Sequence, residues 1–305
     1  MKKKYICRVN LLLIVLIGTS SIFSKRLKVV TTSKDLASIA SEIGKNLIEI
    51  TSLAGGGDDL HFLHARPDYI LKTSRANVVL LIGADLEVGW LPLVLKNSRN
   101  AKVQLGQSGY CDVSRGITLL EKQSGLINRQ MGDVHAQGNP HYWIDPLNGI
   151  RMAKFISNCF SSVDKSNASI YKRNFNSFRS KVIKLTKKLL RTMKPHFGKK
   201  VIVYHREFSY FVKRFRLNLA MHIEDKPGAS PSPGRVREVI EFIRKNKIKV
   251  ILTTPWNNIG VVSRIARESG TRFLVLPMQT GAAPGTSTYL KMIEKCIQLI
   301  DKKLQ

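Results

Sequence analysis

Short β-branched runs alternate with amphipathic stretches from residue 27 to the carboxyl end of the chain. A first group contains four apolar runs that predict strands, at residues 27–31, 47–51, 77–83 and 102–105. Helix-like stretches in the same group cover residues 34–44, 67–74 and 87–97. A second group predicts strands at residues 200–204, 217–223, 248–254 and 272–276 and helices at 207–216, 235–245, 258–269 and 286–302. This alternation predicts α/β structure in two lobes, each with a mostly parallel sheet flanked by helices.

One unusually long helical pattern lies between the two groups. Its apolar positions recur every three or four residues, at Tyr171, Phe175, Phe178, Val182, Leu185 and Leu189. Such a stripe predicts a helix over residues 167–193, and at 1.5 Å per residue this helix is ~40 Å long. A dimerising coiled coil is the alternative, but three heptads flanked by α/β segments favour a brace within one chain. We therefore predict an amino-terminal lobe at 25–162, a linking helix at 163–196 and a carboxyl-terminal lobe at 197–305.

The first 24 residues have the pattern of a secretory signal peptide. Four basic residues precede the apolar run 11–18, and the small polar residues 19–21 follow it. The run is short for a membrane span, and no later segment approaches the ~20 apolar residues of a spanning helix. A protein with several membrane spans is therefore excluded, and an uncleaved amino-terminal anchor is the alternative to cleavage. Cys7 precedes the apolar run, a poor position for lipid attachment.

The chain is strongly basic, with 50 lysines and arginines against 21 acids and a formal net charge of +29. Residues 1–24 carry four of the basic residues and no acid, so the rest of the chain keeps +25. Such a surface suits nucleic acids, anionic lipids or other polyanions. The basic residues are spread along the chain, however, without zinc-finger spacing or an aromatic RNA-binding motif. We therefore expect no nucleic-acid partner, and we interpret the charge as a surface property that favours an anionic membrane face.

Three cysteines follow residue 24, namely Cys111, Cys159 and Cys296, and none belongs to a Cys-x-x-Cys pair. This number excludes a disulfide-rich scaffold at this chain length. At most one bridge can form among the three, and the sequence does not indicate which pair forms it.

Three of the seven histidines stand where a ligand would bind. His61 lies in the loop that leaves the strand 47–51, and His205 ends the strand 200–204. His141 lies in a turn just before a helix that begins at residues 145–146. Ligands of open α/β sheets bind at the carboxyl ends of the strands. Three neutral imidazoles suit Zn²⁺, whereas Mn²⁺ is better served by more carboxylates.

Several motifs give the chain a wider resemblance. They are Asp59-Leu60-His61 followed by Pro67, and the segments 77–90, 132–146, 203–211 and 223–233. The most specific is Asn-Pro-His-x-Trp-x-Asp-Pro at residues 139–146. With these motifs the chain resembles the periplasmic zinc or manganese solute-binding proteins of metal ABC transporters, the cluster that includes the zinc-uptake binding protein. The resemblance covers nearly the whole chain after the signal peptide.

The resemblance implies a metal site in which the family's three histidine positions fall on His61, His141 and His205. Members often add an Asp from the loop after the last strand of the second lobe, and here that loop, 276–281, contains no acid. We therefore assign Glu224 to the metal site as the fourth ligand, with Asp59 and water as the alternatives.

His135, six residues before His141, is interpreted as a solvated loop residue, with an auxiliary ligand as the alternative. The family's extended histidine- and acid-rich loop is absent from this sequence, so metal capture by such a loop is not expected.

The resemblance implies an extracytoplasmic substrate-binding component, and not an enzyme, that captures Zn²⁺ in the cleft between two lobes. Mn²⁺ is the alternative cargo, and the implied partner of this periplasmic monomer is an ABC permease in the inner membrane. A secreted zinc-dependent hydrolase and a basic polyanion-binding surface protein are the alternatives. Neither a Gly-x-Ser-x-Gly elbow nor a His-Glu-x-x-His helix is present, which argues against the hydrolase.

Overall fold

The structure, a computed structural model, describes residues 26–122 and 135–305. The signal peptide predicted at residues 1–24 lies outside the described residues and stays a prediction. The limits of the lobes, set above at 25–162 and 197–305, also stay a prediction.

Two parallel four-stranded sheets form the framework, as the alternation of the sequence predicts. The strands of the first sheet are β1 (Leu27–Thr31), β2 (Ile48–Ser52), β3 (Val78–Leu81) and β4 (Tyr110–Asp112). Those of the second sheet are β5 (Lys200–Val203), β6 (Asn218–His222), β7 (Val250–Thr253) and β8 (Arg272–Val275). The orders are β2-β1-β3-β4 and β6-β5-β7-β8, so both lobes share one topology. In each sheet the strand order reverses beside the first strand, where α/β proteins bind their ligands.

Helices connect and cover the strands. In the first lobe they are α1 (Lys34–Gly44), α2 (Pro67–Ser74), α3 (Leu91–Ser98) and α4 (Pro146–Val163). The long helix α5 (Ala168–Met193) is followed by α6 (Ser209–Arg214), α7 (Pro233–Asn246), α8 (Ile259–Ser269) and α9 (Tyr289–Leu304). Five of these helices begin at a side chain that accepts a hydrogen bond from the first turn, the caps being Ser33, Asp145, Ser232, Asn258 and Thr288. Within the described part of the chain, no helix combines the length and the apolar character needed to cross a membrane.

Helix α5 braces the two lobes, as its apolar stripe predicts. Tyr171, Phe178 and Val182 of the stripe are buried, and the helix contacts α1 and α4 of the first lobe and α9 of the second. One apolar core runs through both lobes and includes Leu80 of β3 and Leu252 of β7 together with the stripe. The lobes therefore share this core, and each also has a smaller apolar cluster of its own, around Val79 and Trp90 in the first lobe and around Ile251 and Val239 in the second.

The fourth strand is where the sequence prediction is wrong. Residues Ala101–Val103 form a turn of 3-10 helix, and Tyr110–Asp112 pairs with β3 in their place. Asn100 explains the turn, because its side chain accepts from the backbone of Lys102 at 3.1 Å and donates to the carbonyl of Ala76 at 2.8 Å. A short polar side chain with such local partners competes with strand formation.

The third helix begins at Leu91, four residues later than predicted. The cause is Glu87, whose buried carboxylate accepts hydrogen bonds from Ile82 N at 2.8 Å, Gly83 N at 3.0 Å and Thr32 Oγ1 at 2.6 Å. Burial raises the pKa of this carboxyl to about 7. Glu87 thus fixes the loop after β3 instead of starting a helix.

A disulfide joins Cys111 of β4 to Cys159 of α4, while Cys296 is free and buried. The bridge fastens the edge of the first sheet to the helix that packs across it.

Close contacts also join the lobes near the ends of the sheets. Asp35 at the start of α1 accepts from the backbone N–H of Thr280 at 2.9 Å and from its hydroxyl at 2.7 Å. Gly56 lies so near the same loop that a Cβ would stand 2.4 Å from the carbonyl carbon of Gly281. Only glycine fits there, and the two loops are held in register.

Asp35 makes the stability of the metal-free protein depend on pH. Burial raises the pKa of this carboxyl to about 6, although the Thr280 hydrogen bonds lower it, and its Oδ2 has no partner within the described residues. The folded state therefore holds a proton that the unfolded chain releases near pH 4, and this group costs stability as the pH rises toward 6 and above. We compare the free energies of unfolding of Asp35→Asn and the unsubstituted protein by urea unfolding at pH 4 and at pH 7.5. The difference between the two proteins is expected to shift by about 2 kcal/mol in favour of Asp35→Asn from the lower to the higher pH. An equal difference at both pH values would contradict this role.

Candidate metal centre

Three histidines from three separate loops meet between the lobes. His61 lies between β2 and α2, His141 lies just before α4, and His205 follows β5. One nitrogen from each ring lies within 4.8 Å of the other two, and within residues 26–122 and 135–305 these side chains form a group that can hold a metal ion. His141 is 4% exposed and His205 is 8% exposed. The structure therefore brings together the three histidines singled out in the sequence.

Each ring is oriented by an oxygen atom at its Nδ1. Asp59 Oδ1 lies 2.8 Å from Nδ1 of His61, Asn139 Oδ1 lies 2.9 Å from that of His141, and Glu224 Oε2 lies 2.6 Å from that of His205. An acceptor at Nδ1 fixes the proton there and leaves Nε2 with the lone pair that binds a metal ion. The three rings are thus set in the same tautomer, with the lone pair on Nε2.

The first two of these acceptors are built by one local motif. Asp59 and Asn139 each stand two residues before their histidine, and each oxygen also accepts the backbone N–H of that histidine, at 3.0 Å and 2.9 Å. The amide of Asn139 donates to the backbone oxygen of Arg206 at 2.9 Å, which fixes its orientation. Sequence reasoning missed the role of Asn139, although the repeated spacing of Asp-x-His and Asn-x-His is visible in the chain.

Glu224, assigned to the metal site from the sequence, lies against His205 and outside the group of three. Its Oε2 also accepts from the backbone N–H of Gly228 at 3.1 Å, and its side chain is 8% exposed. In this position the carboxylate acts on His205.

Burial governs the protonation of the group. Burial lowers the pKa of His141 well below its ordinary value, and His61, His205 and His135 around it lower that pKa further. Burial raises the pKa of Asp59, but the hydrogen bond and the charge of His61 outweigh it and hold the pKa below its usual range. His141 is therefore neutral at physiological pH, the form that can bind a metal ion.

A cleft of about 250 Å³ opens beside the histidines, and its lining includes Tyr204, Glu207 and Trp256. Glu207 is buried and accepts hydrogen bonds from Trp256 Nε1 at 3.1 Å and Asn257 Nδ2 at 2.9 Å. Burial raises its pKa, while His205 lowers it. On the other side Trp143 packs against His141, with ring centroids 5.4 Å apart, and covers the site.

The loop that carries an acid in the resembling family carries Gln279 here. Gln279 is 2% exposed, and its Nε2 donates to the backbone oxygen of Asp58 at 2.9 Å. The carboxamide joins the second lobe to the loop of His61 without adding a negative charge.

The periplasmic zinc-uptake complex component A family, ZnuA, has a model that matches residues 29–303. The chain belongs to this family. The resemblance inferred from the motifs is therefore confirmed for the ZnuA family.

Individual relatives agree with this membership. The metal ABC transporter substrate-binding lipoprotein FimA of Streptococcus parasanguinis is 29% identical over 239 residues, 77% of this chain and 74% of its own. The manganese ABC transporter substrate-binding lipoprotein PsaA of Streptococcus pneumoniae is 28% identical over 237 residues, 76% and 73% of the two chains. A crystal structure of ZnuA superposes with a TM-score of 0.76 at 22% identity, covering 91% of this chain and 99% of that one. The two-lobe fold predicted from the sequence is thus confirmed, and these relatives give no support to a hydrolase or a polyanion-binding surface protein.

The hydrogen bond to His205 gives a test of how Glu224 acts. Glu224→Ala is expected to weaken metal binding about 10-fold to 100-fold, the usual cost of losing such an orienting partner. Glu224→Gln keeps an oxygen that accepts from Nδ1 and is expected to retain most of the affinity. Chelator-competition titrations measure both, with the exposed Glu238→Ala on α7 as the control. Equal losses for Ala and Gln would contradict an orienting role.

Proposed function

We propose that the chain is the substrate-binding component of a metal ABC transporter and captures Zn²⁺ between its lobes for delivery to a membrane permease. The observation that carries the proposal is the set of three imidazoles that offer one nitrogen each within 4.8 Å of one another and whose Nδ1 atoms all have an oxygen partner. His61 and His141 come from the first lobe and His205 from the second, so a bound ion joins both lobes. We propose these three as ligands, with Glu224 holding His205.

Zinc is favoured over manganese by the donor atoms. Imidazole nitrogen suits Zn²⁺, whereas Mn²⁺ prefers carboxylate, carbonyl and water oxygen. The carboxylates of Asp59 and Glu224 are engaged with histidines, and Gln279 stands where the family often has an acid. Relatives named for manganese exist, such as PsaA, and Mn²⁺ is therefore the competing cargo to test.

Transport explains the site better than catalysis does. Catalytic zinc keeps an open position for water and needs a group to move protons beside it. The carboxylates of Asp59 and Glu224 contact the histidine rings, and the buried carboxylate of Glu207 accepts a hydrogen bond from Trp256. All three acids are therefore already engaged with other side chains. The relatives named above are transport proteins, and we propose that the chain is not an enzyme.

Release requires a state with poorer ligand geometry. His205 stands directly after β5 and is the second lobe's member of the group. Displacement of its loop by a permease would break one metal bond while the shared core of both lobes stays intact. Opening limited to the loops is also favoured by the contacts of Asp35 and Gly56 with the second lobe.

The basic surface suits the outer face of an anionic membrane in the periplasm. Five cations surround a cavity of about 490 Å³ at the amino ends of the second sheet, namely Lys199, Lys200, Lys247, Lys249 and Arg272. Arg272 donates to the backbone oxygen of Lys303 at 3.0 Å, and Lys200 donates to the side-chain oxygen of Asn246 at 3.1 Å. Both acceptors are uncharged, so these hydrogen bonds do not neutralise the two positive charges. We expect a monomer that sediments with anionic vesicles at low salt and is released at high salt. Sedimentation with the vesicles that does not depend on salt would contradict an electrostatic association with the membrane.

Metal stoichiometry tests the proposed function directly. Purified protein stripped with a chelator is expected to bind one Zn²⁺ per chain, by elemental analysis and competition titration, and to bind Mn²⁺ more weakly. Absence of stoichiometric tight binding by either metal would refute the proposal.

A further inference from the structure

We propose that His135 supplies the fourth ligand to the captured ion and completes a site of four imidazoles. This inference rests on the proposed function and concerns the same site. Its starting point is one contact, because Nε2 of His135 lies 3.3 Å from Nε2 of His61. The two ring centroids are 5.3 Å apart.

The distance between these two nitrogens matches the geometry of zinc. Two nitrogens bound to one tetrahedral ion at about 2.0–2.1 Å lie about 3.3 Å apart. Nδ1 of His61 is held by Asp59, so the nitrogen that His135 contacts is the one that faces the ion. His135 therefore stands at the spacing of a neighbouring ligand from His61 before any metal arrives.

The backbone around His135 is fixed by the first lobe. Its carbonyl accepts from Gly138 N at 3.2 Å, and the side chain of Gln137 donates to Asp85 Oδ1 at 3.1 Å. Gly138 has a φ of +120°, and a Cβ there would stand 2.7 Å from the backbone oxygen of Leu120. This turn needs glycine, and it sets His135 over the metal centre.

The rest of the centre leaves a place for such a ligand. The second-lobe loop offers the carboxamide of Gln279, which donates to Asp58, and Glu224 is engaged with His205. His135 contacts His61 but lies outside the group of three whose ligand atoms are within 4.8 Å of one another, so completing the shell requires its ring to move toward His141 and His205. Three ligands then come from the first lobe and one from the second.

Four neutral nitrogens have a consequence for selectivity. Such a set lacks the oxygens that Mn²⁺ prefers and suits Zn²⁺. We expect His135 to increase the preference for Zn²⁺ over Mn²⁺. Without His135, water can fill the fourth position, and water oxygen is a ligand that Mn²⁺ prefers.

X-ray absorption at the zinc edge tests the inference, because its scattering pattern counts imidazoles. The zinc-loaded protein is expected to show four imidazoles, and His135→Ala is expected to show three. Zinc affinity of that variant is expected to fall on the order of 100-fold, since one of about four bonds is lost. His64→Ala, which removes an exposed histidine from the loop of His61, is the matched control and is expected to change neither quantity.

The outcomes separate this inference from the proposed function. Three imidazoles in the unsubstituted protein, with unchanged affinity in His135→Ala, would overturn the fourth ligand and reduce the 3.3 Å contact to a hydrogen bond of the metal-free state. Tight one-to-one zinc binding in that result would leave the transport function standing. Absence of tight zinc binding in the unsubstituted protein would instead refute the function. Matched thermal unfolding of the metal-free proteins shows that the variants are folded.

Discussion

Replacing His141 by alanine is expected to weaken Zn²⁺ binding at least about 100-fold. Protein sites with four ligands bind zinc with about 10–16 kcal/mol, so each bond carries several kcal/mol, and 1.4 kcal/mol is tenfold in affinity. His141 is buried, and the ring of Trp143 and the amide of Asn139 hold its orientation. Water can replace the lost nitrogen only by entering a covered site, which adds to the loss.

Competition titration against a chromogenic chelator measures this loss, with His61→Ala and His205→Ala expected to behave alike. His196→Asn serves as the control for a buried histidine, because His196 contacts Asp301 and lies outside the metal group. Wild-type affinity in His141→Ala would place the metal elsewhere.

Asp145→Ala is expected to lower the free energy of unfolding by about 3–5 kcal/mol, the cost of breaking a buried ion pair. Asp145 is 6% exposed and pairs through both oxygens with Arg214, at 2.6 Å and 2.8 Å. It also caps α4 by accepting from Leu147 N at 2.9 Å. The substitution therefore strands a half-buried guanidinium, removes a helix cap and breaks a bond between elements of the two lobes.

Urea unfolding of the metal-free protein provides the measurement. Asp68→Ala is the matched control, because Asp68 also bonds two cations, Arg66 and Lys72, but does so at the surface. Exposed pairs of this kind contribute about 0–1 kcal/mol. If both variants lose the same free energy of unfolding, the Asp145–Arg214 pair stabilises the protein no more than an exposed pair does.

Most of the fold follows from local pattern, and the exceptions have a common cause. Helix α1 and the long helix α5 match their predicted limits to within one residue, because an apolar stripe is a local signal, and in α1 the Ser33 cap adds to it. The strand predicted at 102–105 and the early start of α3 failed where side chains bond residues far along the chain. Asn100 reaches Ala76 and Glu87 reaches Thr32, and such partners are invisible to a periodicity argument.

For the candidate site, the sequence predicts which histidines come together but not the side chains that orient them. The positions of His61, His141 and His205 at strand ends and turns indicate a shared rim, and the structure brings them together. What orients them was less accessible, because the bond between His205 and Glu224 spans two strands of one sheet. The sequence predicts a solvated loop residue at His135. Its contact with His61 depends on the conformation of the turn between His135 and His141, which a sequence pattern does not reveal.

The bridge between Cys111 and Cys159 also acts on the unfolded chain. It spans a sequence separation of 48 residues, and both His135 and His141 lie inside the covalent ring. Closing a ring of this size removes about 4 kcal/mol of conformational entropy from the denatured ensemble. While the bridge is intact, the unfolded chain therefore keeps two of its histidines within one closed loop, and reduction of the bridge would remove that constraint.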